Sequence, residues 1–590
     1  MTTTARPIRI LVLDADLVPA LTVVRSLVRR HYLVDVASAG EAPIASFSRA
    51  VGHCWRYPHP LRGEARFLTW MEEHLATRRY DLVIPVSERT LVPLSGQRHR
   101  FANTRIAMAD ADSLERVLNK AETFRLAESL GISVPRSIHL TAIDQLAEHI
   151  RKIVYPVVIK PSHSVAGSQS GYSKRNVSYA YSESGLRRQC EQCLRHSPVI
   201  LQSYFRGQGA GIELIARDGE ILYPFQHVRL HEVPLTGGGS SFRVSAPVEP
   251  VLLEAAEKLM RALRWTGVAM VEFKWDAGSG RYCLMEINGR LWGSLPLAVA
   301  AGADFPAMLA ELSLTGALGE YPAYRSGVYC RNLPRDLQWH EMVLRSRGEA
   351  KKQGSDLARI PSGRAVVRDL VRVLSPGHHF DTQSFRDPLP GLVEMKRLFA
   401  HYQGRLSGLV AEKRFARHHR LLWRNGTVRK AMREARTVLF LCYGNINRSA
   451  AAGVLMENLL PADCDKHVWS AGFHQEEARP ADNRMQSIAA EKGFDLSRSR
   501  STRITDQLLD DSDIIFVMEK KHHDVLLSVD PSAAERIFLL GPGCREGGQG
   551  EPEIPDPYNR SEEAYRACFV RIYQAVTRLS EFIQPEHARK

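Results

Sequence analysis

Residues 439–450 read LFLCYGNINRSA, a stretch that combines a strand-to-helix turn with reactive side chains. The apolar run ends at Cys442, small and polar residues follow, and Arg448 and Ser449 open a helix-like segment. Such a turn points backbone N–H groups toward the helix N-terminus, where they bind anions. The amides and the helix dipole also favour the thiolate form of a cysteine placed there. The stretch therefore predicts an anion site with a cysteine nucleophile.

The other side chains of this turn suit a bound phosphoryl group. Arg448 offers a planar fork of donors that matches two phosphoryl oxygens, and Ser449 can donate its hydroxyl to the cysteine sulfur. The reaction that we predict is attack of the thiolate on phosphorus, a phosphocysteine intermediate and its hydrolysis. Five residues complete the predicted phosphate-binding loop: Tyr443, Gly444, Asn445, Ile446 and Asn447.

This reaction also needs an acid that protonates the leaving group. The segment EIPDPYNRS (553–561) places Asp556 between two prolines, which stiffen the loop around it. Tyr558 follows two residues later and can stack on an aromatic substrate. We therefore predict four catalytic residues in this part of the chain: Cys442, Arg448, Ser449 and Asp556.

Residues 436–590 resemble a low-molecular-weight protein tyrosine phosphatase. The family motif C-x-G-N-x-C-R-S is matched at 442–449 except for its second cysteine, and the segments SAGF (470–473), DIIFVME (513–519) and DPY (556–558) resemble other family segments. The resemblance implies a doubly wound parallel α/β fold and no cofactor. Bacterial members commonly act on tyrosine-phosphorylated proteins, often in exopolysaccharide control. Asn447 replaces the second cysteine, so the disulfide that protects an oxidised nucleophile cannot form within the loop. Arsenate reductase shares this fold, but its relay needs closely spaced downstream thiols, which are absent here.

The first third of the chain has a different pattern. The run IRILVLDA (8–15) reads as a buried strand, a helix-like segment and a second strand follow, and YDLVIPVS (80–87) repeats the strand signal. Short β-rich runs separated by turn residues then continue to about residue 290. Glu286 and Asn288 share one strand face, and Glu272 lies on the preceding strand, so their oxygens are placed to bind Mg²⁺.

Four further residues suit a nucleotide in this half. Lys120 on a helix and Lys160 at a strand end can neutralise phosphates, as can Arg290, and the Gly- and Ser-rich segment 162–174 can fold over them. With Gln202 in LQSYFRG, this set resembles the ATP-grasp superfamily, in its carbamoyl-phosphate-synthase-like branch, over residues 1–325. The resemblance implies ATP and Mg²⁺ as cofactors, an acylphosphate intermediate, and carboxylate and amine substrates. Arg229 and Arg243 are candidates for holding the substrate carboxylate.

A basic segment joins the two halves. Residues 396–436 hold twelve Lys or Arg residues and two Glu residues, interleaved with Leu, Phe and Trp. A solvated linker or docking helix is the commonest explanation, an anionic membrane surface is an alternative, and we do not expect a nucleic acid partner. The N-terminus carries a run too short and too acidic for a signal peptide, which favours a cytoplasmic protein.

These patterns predict an α/β multidomain enzyme with four segments. They are an α/β subdomain (1–105), an α+β ATP-grasp domain (106–325), a helical basic connector (326–435) and a phosphatase domain (436–590). We expect an ATP-dependent carboxylate ligase fused to a phosphatase that acts on phosphotyrosine proteins. Two alternatives remain open: a phosphatase regulated by an ATP-binding module without turnover, and a phosphatase for a small phosphorylated metabolite.

Overall fold

The structure is a computed structural model that describes residues 6–583, apart from 162–164, 167–172, 175–177, 196, 236, 354–360 and 462. The chain divides into two compact units, residues 1–400 and 401–590. Most of the segment 162–174, which we expected to cover the phosphates, lies outside the described residues.

The chain begins with a four-stranded parallel sheet, as the succession of strand-like and helix-like segments predicts. The strand order is β3-β2-β1-β4, and strand β1 is almost wholly buried because parallel strands are covered on both faces. The elements are β1 (Arg9–Val12), α1 (Val18–Arg29), β2 (Leu33–Ser38), β3 (Cys54–Arg56), α2 (Glu64–Thr77), β4 (Leu82–Ile84) and α3 (Glu88–Gly96).

A small antiparallel sheet with the strand order β5-β10-β6-β9 follows, beside a separate strand pair. Its elements are α4 (Ala111–Leu118), α5 (Lys120–Ser129), β5 (Ser137–Leu140), α6 (Leu146–His149), β6 (Val157–Pro161), β7 (Val165–Ala166), β8 (Ser173–Lys174), β9 (Ser178–Ala180), α7 (Glu183–Leu194) and β10 (Val199–Ser203). Asn119 caps α5, since its side-chain oxygen accepts the Ala121 N–H at 3.1 Å. This cap fixes Lys120 as the first residue of the helix.

A seven-stranded sheet completes the first unit, in the order β15-β14-β11-β12-β13-β16-β17. Its elements are β11 (Gln208–Arg217), β12 (Glu220–Val233), β13 (Gly239–Ala246), α8 (Pro250–Leu263), β14 (Gly267–Asp276), β15 (Arg281–Asn288), α9 (Leu295–Ala301), α10 (Phe305–Thr315), β16 (Tyr329–Arg331), α11 (Leu333–Gln353), α12 (Gly363–Val371) and β17 (His378–Phe380). Strands β16 and β17 lie within 326–435, so the prediction of a wholly helical connector is wrong there. Three-residue strands are too short to show a period of two.

Helices α9 and α10 contribute many apolar side chains to the core that also contains strand β1. Within the described part of the chain, none of the helices alone is long and apolar enough to cross a membrane. This pair, bent by 92°, meets the length and composition requirement only when its two helices are taken together.

The second unit is built on a parallel sheet in the order β19-β18-β20-β21. Alternate residues of β18 enter two separate apolar clusters, Phe440 in one and Leu439 in the other, so both sheet faces are covered as predicted. The elements are α13 (Pro388–Arg424), α14 (Thr427–Glu434), β18 (Thr437–Cys442), α15 (Arg448–Leu459), β19 (His467–Gly472), α16 (Asn483–Ala490), α17 (Asp506–Asp510), β20 (Ile514–Val517), α18 (Lys520–Val529), β21 (Ile537–Leu539) and α19 (Glu562–Ile583). The boundary between the two units falls inside α13.

The end of α13 is part of the core of the second unit. Trp423 is buried, and its Nε1–H donates to the backbone oxygen of Leu539 at 2.9 Å. A Cβ atom added to Gly543 or Gly548 would collide with Trp423, so two glycines make room for the indole. The connector and the phosphatase domain that we predicted to meet at residue 436 therefore share this core.

Trp423→Ala is expected to lower the free energy of unfolding of the second unit by about 3–5 kcal/mol, because it leaves a large cavity and an unpaired carbonyl. Loss of p-nitrophenyl phosphate hydrolysis in increasing urea measures this change on the full chain. Leu421→Ala, at an exposed position of the same helix, is the matched control and should not change the urea concentration at which half of the activity is lost, the urea midpoint. Equal midpoints for Trp423→Ala and the unaltered protein would contradict the assignment.

Candidate functional sites

Cys442 ends strand β18, and its thiol lies over the turn that leads into helix α15. The side chain is buried, and the Asn445 backbone N–H donates to Sγ at 3.3 Å. Asn445 has φ of +49°, a left-handed conformation that asparagine adopts more readily than most residues. The turn therefore aims a peptide N–H at the sulfur, as the sequence predicts.

A hydrogen-bond network surrounds the same sulfur. Ser449 Oγ lies 3.0 Å from Cys442 Sγ and 3.1 Å from the Ala471 backbone oxygen, so its single proton serves one of them at a time. The Asn445 side-chain amide donates to Ser449 Oγ at 2.9 Å and to Ser470 Oγ at 3.1 Å. Because the Ser449 oxygen accepts from the Asn445 amide, its own hydrogen is left for either the sulfur or the Ala471 oxygen.

Arg448 is the most buried charge of this site. Its Nη1 lies 2.5 Å from Glu519 and donates to the Ile554 backbone oxygen at 3.0 Å, while Nη2 lies 2.6 Å from Asp556. The Nε atom is buried and has no hydrogen-bond partner among the described residues. The predicted phosphate ligand and the predicted acid are thus in direct contact, and Nη1 is held in place by Glu519.

All nine residues that we predicted for this site are together, and two further side chains join them. Eight of the nine line a cavity of about 190 Å³ together with Tyr558, the predicted stacking residue, and Ser449 contacts the sulfur. The additional lining side chains are His474 and Arg479, and Arg479 donates to the Gly444 backbone oxygen at 2.7 Å. Both residues lie shortly after the SAGF segment (470–473). Their position next to this family segment is the signal that could have identified them from the sequence.

The carboxylates predicted for Mg²⁺ meet in the first unit. Glu272 on β14 pairs directly with Glu286 on β15, and the Asn288 side-chain amide donates to both at 3.2 Å. Two carboxylates and an amide on neighbouring strands provide the oxygen ligands that Mg²⁺ prefers, so these residues fit the ion.

Cations balance these carboxylates. Lys120 Nζ lies 3.5 Å from Glu286, and Arg229 Nη2 lies 2.6 Å from Glu272. Desolvation raises the pKa of Glu286, but Lys120 and Lys160 more than offset it, so the pKa lies below its usual value. Desolvation, and next the charge of Lys120, lowers the pKa of Lys160 to about 8. The site therefore holds an ionised carboxylate beside a lysine that gives up its proton easily.

Gln202 and Arg290 occupy two other positions in this unit. Gln202 is buried on β10, where its amide nitrogen donates to Ser137 Oγ at 3.0 Å and its amide oxygen has no hydrogen-bond partner among the described residues. An unpaired buried acceptor fits a ligand that carries an amino group, such as adenine. Arg290 lies just beyond β15 and pairs with Glu88 at 3.3 Å.

A cavity of about 220 Å³ lies beside the predicted nucleotide residues. Lys120, Glu286, Asn288 and Arg290 contribute to its lining. Most of its other lining residues are apolar and come from α3, α4 and α5 and from residues 60–61; they include Leu61, Leu91, Leu114, Val117 and Phe124. The cavity can therefore hold a molecule with a charged group and an apolar body.

Arg243 is not available to a substrate, so our expectation for it is wrong. Its side chain is 1% exposed, and Nη2 lies 2.5 Å from Asp381. Strand β16 pairs with β13, and β17, which pairs with β16, ends directly before Asp381 and brings it against Arg243. Arg229 remains next to the carboxylate pair, where it neutralises Glu272.

Comparison with known proteins separates the two halves. Residues 437–589 match the family described as low molecular weight phosphotyrosine protein phosphatase, and residues 195–334 match the family described as ATP-grasp in the biosynthetic pathway with Ter operon. The probable low molecular weight protein-tyrosine-phosphatase AmsI of Erwinia amylovora is 32% identical over 133 residues, which cover 22% of this chain and 87% of that protein. Wzb of Escherichia coli K12, named a low molecular weight protein-tyrosine-phosphatase, is 30% identical over 25% of this chain and 96% of its own. The L-amino acid ligase of Bacillus licheniformis is a solved structure with 15% identity and a TM-score of 0.41, covering 53% of this chain and 75% of that one.

Proposed function

Since the chain belongs to the low molecular weight protein tyrosine phosphatases through its C-terminal domain, and also carries an ATP-grasp domain, we propose that Cys442 dephosphorylates phosphotyrosine in proteins. The observation that carries this proposal is that Cys442, Arg448 and Asp556 line one cavity. A nucleophile, a phosphate ligand and an acid in one cavity are the parts that phosphate ester hydrolysis requires.

The proposed reaction proceeds in two steps. The Cys442 thiolate attacks phosphorus and forms an S–P bond, while the bond to the tyrosine oxygen breaks and Asp556 gives that oxygen its proton. Water then attacks phosphorus, gives its proton to Asp556 and releases the thiolate with inorganic phosphate. Arg448 binds two phosphoryl oxygens through Nε and Nη2, because Glu519 and the Ile554 carbonyl already hold Nη1. Asp556 leaves its contact with Nη2 when the substrate enters.

Two aromatic side chains favour phosphotyrosine over a small phosphorylated metabolite. Tyr443 and Tyr558 both line the cavity, yet they are 54% and 53% exposed. Exposed aromatic rings at the entrance can stack against a substrate ring that extends from the bound phosphate. A comparison of kcat/KM for phosphotyrosyl peptides and for aliphatic phosphate esters tests this preference. Higher values for the aliphatic esters would favour the metabolite.

Asp556→Asn is expected to slow hydrolysis of phosphotyrosine by about 100-fold, because the leaving oxygen loses its proton donor. The loss should be much smaller for p-nitrophenyl phosphate, whose leaving group is stable as an anion. Rates for both esters, measured on the same variant, check this difference. The matched control is Asp524→Asn, which removes an exposed acid of α18. An equal loss for both esters would argue against proton donation by Asp556.

For the first unit we propose a ligase that joins a carboxylate to an amine at the expense of ATP. Glu272, Glu286 and Asn288 would hold Mg²⁺, and Lys120, Lys160 and Arg290 would hold the phosphates. When bound, Mg²⁺ screens the phosphate oxygens during the transfer of the phosphoryl group. The apolar side chains Leu91, Leu114 and Val117 of the adjoining cavity favour a carboxylic acid with an apolar body.

The ligase proposal is tested with full-length Cys442→Ser protein, in which the phosphatase is silent. ADP release is measured with pairs of carboxylic acids and amines, and we expect stimulation by apolar acids. If polar acids alone stimulate release, the assignment of the cavity is wrong while the ligase stands. If ATP binds but no pair stimulates release, the ATP-grasp domain acts as a regulatory module without turnover.

The pKa of Lys160 gives a pH dependence that can be measured. Since its ammonium form binds phosphate and its pKa is about 8, the dissociation constant of ATP should rise as the pH increases through that value. The expected rise is up to about tenfold per pH unit above the pKa. Calorimetric titration with ATP checks it, and Lys160→Arg should remove the dependence because arginine stays charged. A dissociation constant that does not change with pH would exclude Lys160 from the phosphates.

A further inference from the structure

The middle of helix α13 is a long exposed stretch. Most side chains between residues 395 and 414 are exposed, and none of them belongs to an apolar cluster of the described residues. Gly404 and Gly408 lie within this stretch with open space beside them. Each glycine costs about 1 kcal/mol relative to alanine in a helix interior, and most helix stability in proteins comes from packing. Arg397 donates to the Ala42 backbone oxygen at 2.6 Å, but the apolar side chains of this stretch pack into no apolar cluster of the described residues, so a partner outside this copy would stabilise them.

Apolar side chains recur at alternating intervals of three and four residues from Leu392, one turn before this stretch, to Leu409 within it. This alternation is the heptad pattern of helices that pair with other helices. Five of the six side chains in this pattern are between 45% and 71% exposed, and the sixth, Tyr402, is half-buried. The six positions, which we name the α13 stripe, are Leu392, Met395, Phe399, Tyr402, Leu406 and Leu409.

We propose that the α13 stripe is the contact between two copies of this chain, which pair as a parallel two-stranded coiled coil. In such a pair each residue of the stripe meets its own counterpart, so six apolar layers stack along the contact. The stripe spans 18 residues, or about 27 Å at 1.5 Å per residue. A surface that meets itself across a two-fold axis is the usual basis of a homodimer.

The charges beside the stripe allow this pairing. In the heptad, Leu398 would lie beside Gln403 of the second copy, and Arg405 beside its Val410, so no like charges meet along the stripe. One heptad further, Glu412 would meet Arg417 of the second copy, which is an attractive pair. Lys413 occupies the next core position, and a single lysine there is compatible with a two-stranded coil.

The two ends of α13 are held independently of the stripe. At the N-terminal end, Glu394 accepts hydrogen bonds from Thr382 at 2.9 Å and from Gln383 at 2.7 Å within the first unit. At the C-terminal end, Trp423 is held in the core of the second unit. A helix that is already formed loses little conformational entropy on pairing, which favours association through a short contact.

The pattern distinguishes a second copy from a membrane surface. Charged or polar side chains flank the stripe at Lys396, Gln403, Arg405 and Glu412, and apolar ones flank it at Leu398 and Val410, so the apolar face is interrupted on both sides. A helix that lies in a membrane interface needs a broad apolar face. The alternating spacing is therefore better matched to another helix than to lipid.

The test is the mass of the full-length protein by sedimentation equilibrium. We expect twice the chain mass of 66.2 kDa for the unaltered protein. Phe399→Glu with Leu406→Glu should raise the dissociation constant at least about 100-fold, since four charges would enter the contact. Both positions are exposed, so the variant should fold and hydrolyse p-nitrophenyl phosphate normally. The matched control, Gly404→Glu with Ala411→Glu, places the same charges on the opposite face and should remain dimeric.

Three results would overturn the proposal. The first is an unaltered protein that is monomeric at about 100 µM, which is near the highest practical concentration for a weak complex. The second is a Phe399→Glu, Leu406→Glu variant that stays dimeric, which would place the contact elsewhere. The third is a monomeric unaltered protein that binds vesicles containing phosphatidylserine and loses this binding in that variant, which would assign the stripe to a membrane.

Discussion

Full-length protein with Cys442→Ser is expected to hydrolyse p-nitrophenyl phosphate at least about 10⁴-fold more slowly than the unaltered protein. The serine hydroxyl can occupy the position of the thiol, but a hydroxyl is a much weaker acid than a thiol and stays protonated, so it is a poor nucleophile. The Asn445 N–H and Ser449 hydroxyl would then surround a neutral oxygen in place of sulfur. Release of p-nitrophenol, followed by absorbance, measures the loss. Binding of inorganic phosphate should persist, because Arg448 is unchanged.

A second cysteine provides the control for this experiment. Cys568 on α19 is buried, and burial raises the pKa of its thiol to about 12, so it stays protonated at neutral pH. Cys568→Ser should therefore keep most of the activity. If Cys442→Ser retained activity while Cys568→Ser lost it, the nucleophile would be wrongly assigned.

Glu286→Gln is expected to abolish the enhancement of ATP binding by Mg²⁺, which should be at least about 100-fold in the unaltered protein. The substitution removes one of the two carboxylates that are placed to hold the ion. It also removes the partner of Lys120, which lies 3.5 Å away. In the absence of Mg²⁺ the variant should bind ATP as tightly as the unaltered protein or more tightly, because Lys120 and Lys160 become more available to phosphate.

Calorimetric titrations with ATP, in excess Mg²⁺ and in chelator, separate these two effects. Glu220→Gln is the matched control, since Glu220 is an exposed acid at the start of β12 in the same sheet. It should leave the enhancement by Mg²⁺ unchanged. Equal enhancement in the Glu286→Gln and Glu220→Gln proteins would exclude Glu286 as a ligand of the ion.

Much of both sites could be predicted from the sequence because their residues are close in the chain or share a strand period. The thiol loop is one turn of eight residues, and the Glu286 and Asn288 side chains follow from alternation along one strand. Contacts between distant segments could not be predicted in the same way. The contact of Glu519 with Arg448 joins residues 71 positions apart, and no periodicity indicates it.

The fold shows the same limit. In the two parallel sheets, strand-like and helix-like segments alternate along the chain, and each strand is a continuous apolar run. Such runs indicate strands that are buried on both faces, so the sequence predicts these sheets. Strands β16 and β17 were missed because three residues carry too little pattern. Arg243 was misjudged for a related reason, since the carboxylate that neutralises it is supplied by a segment 138 residues further along the chain.

The position of Trp423 changes where this chain can be divided. The family match begins at residue 437, but the indole that fills the space beside Gly543 and Gly548 lies upstream of it. A recombinant fragment that starts at 437 would leave an open apolar slot on its surface and would tend to aggregate. A fragment that starts at residue 401 keeps the slot filled and is the smaller piece suited to separate expression.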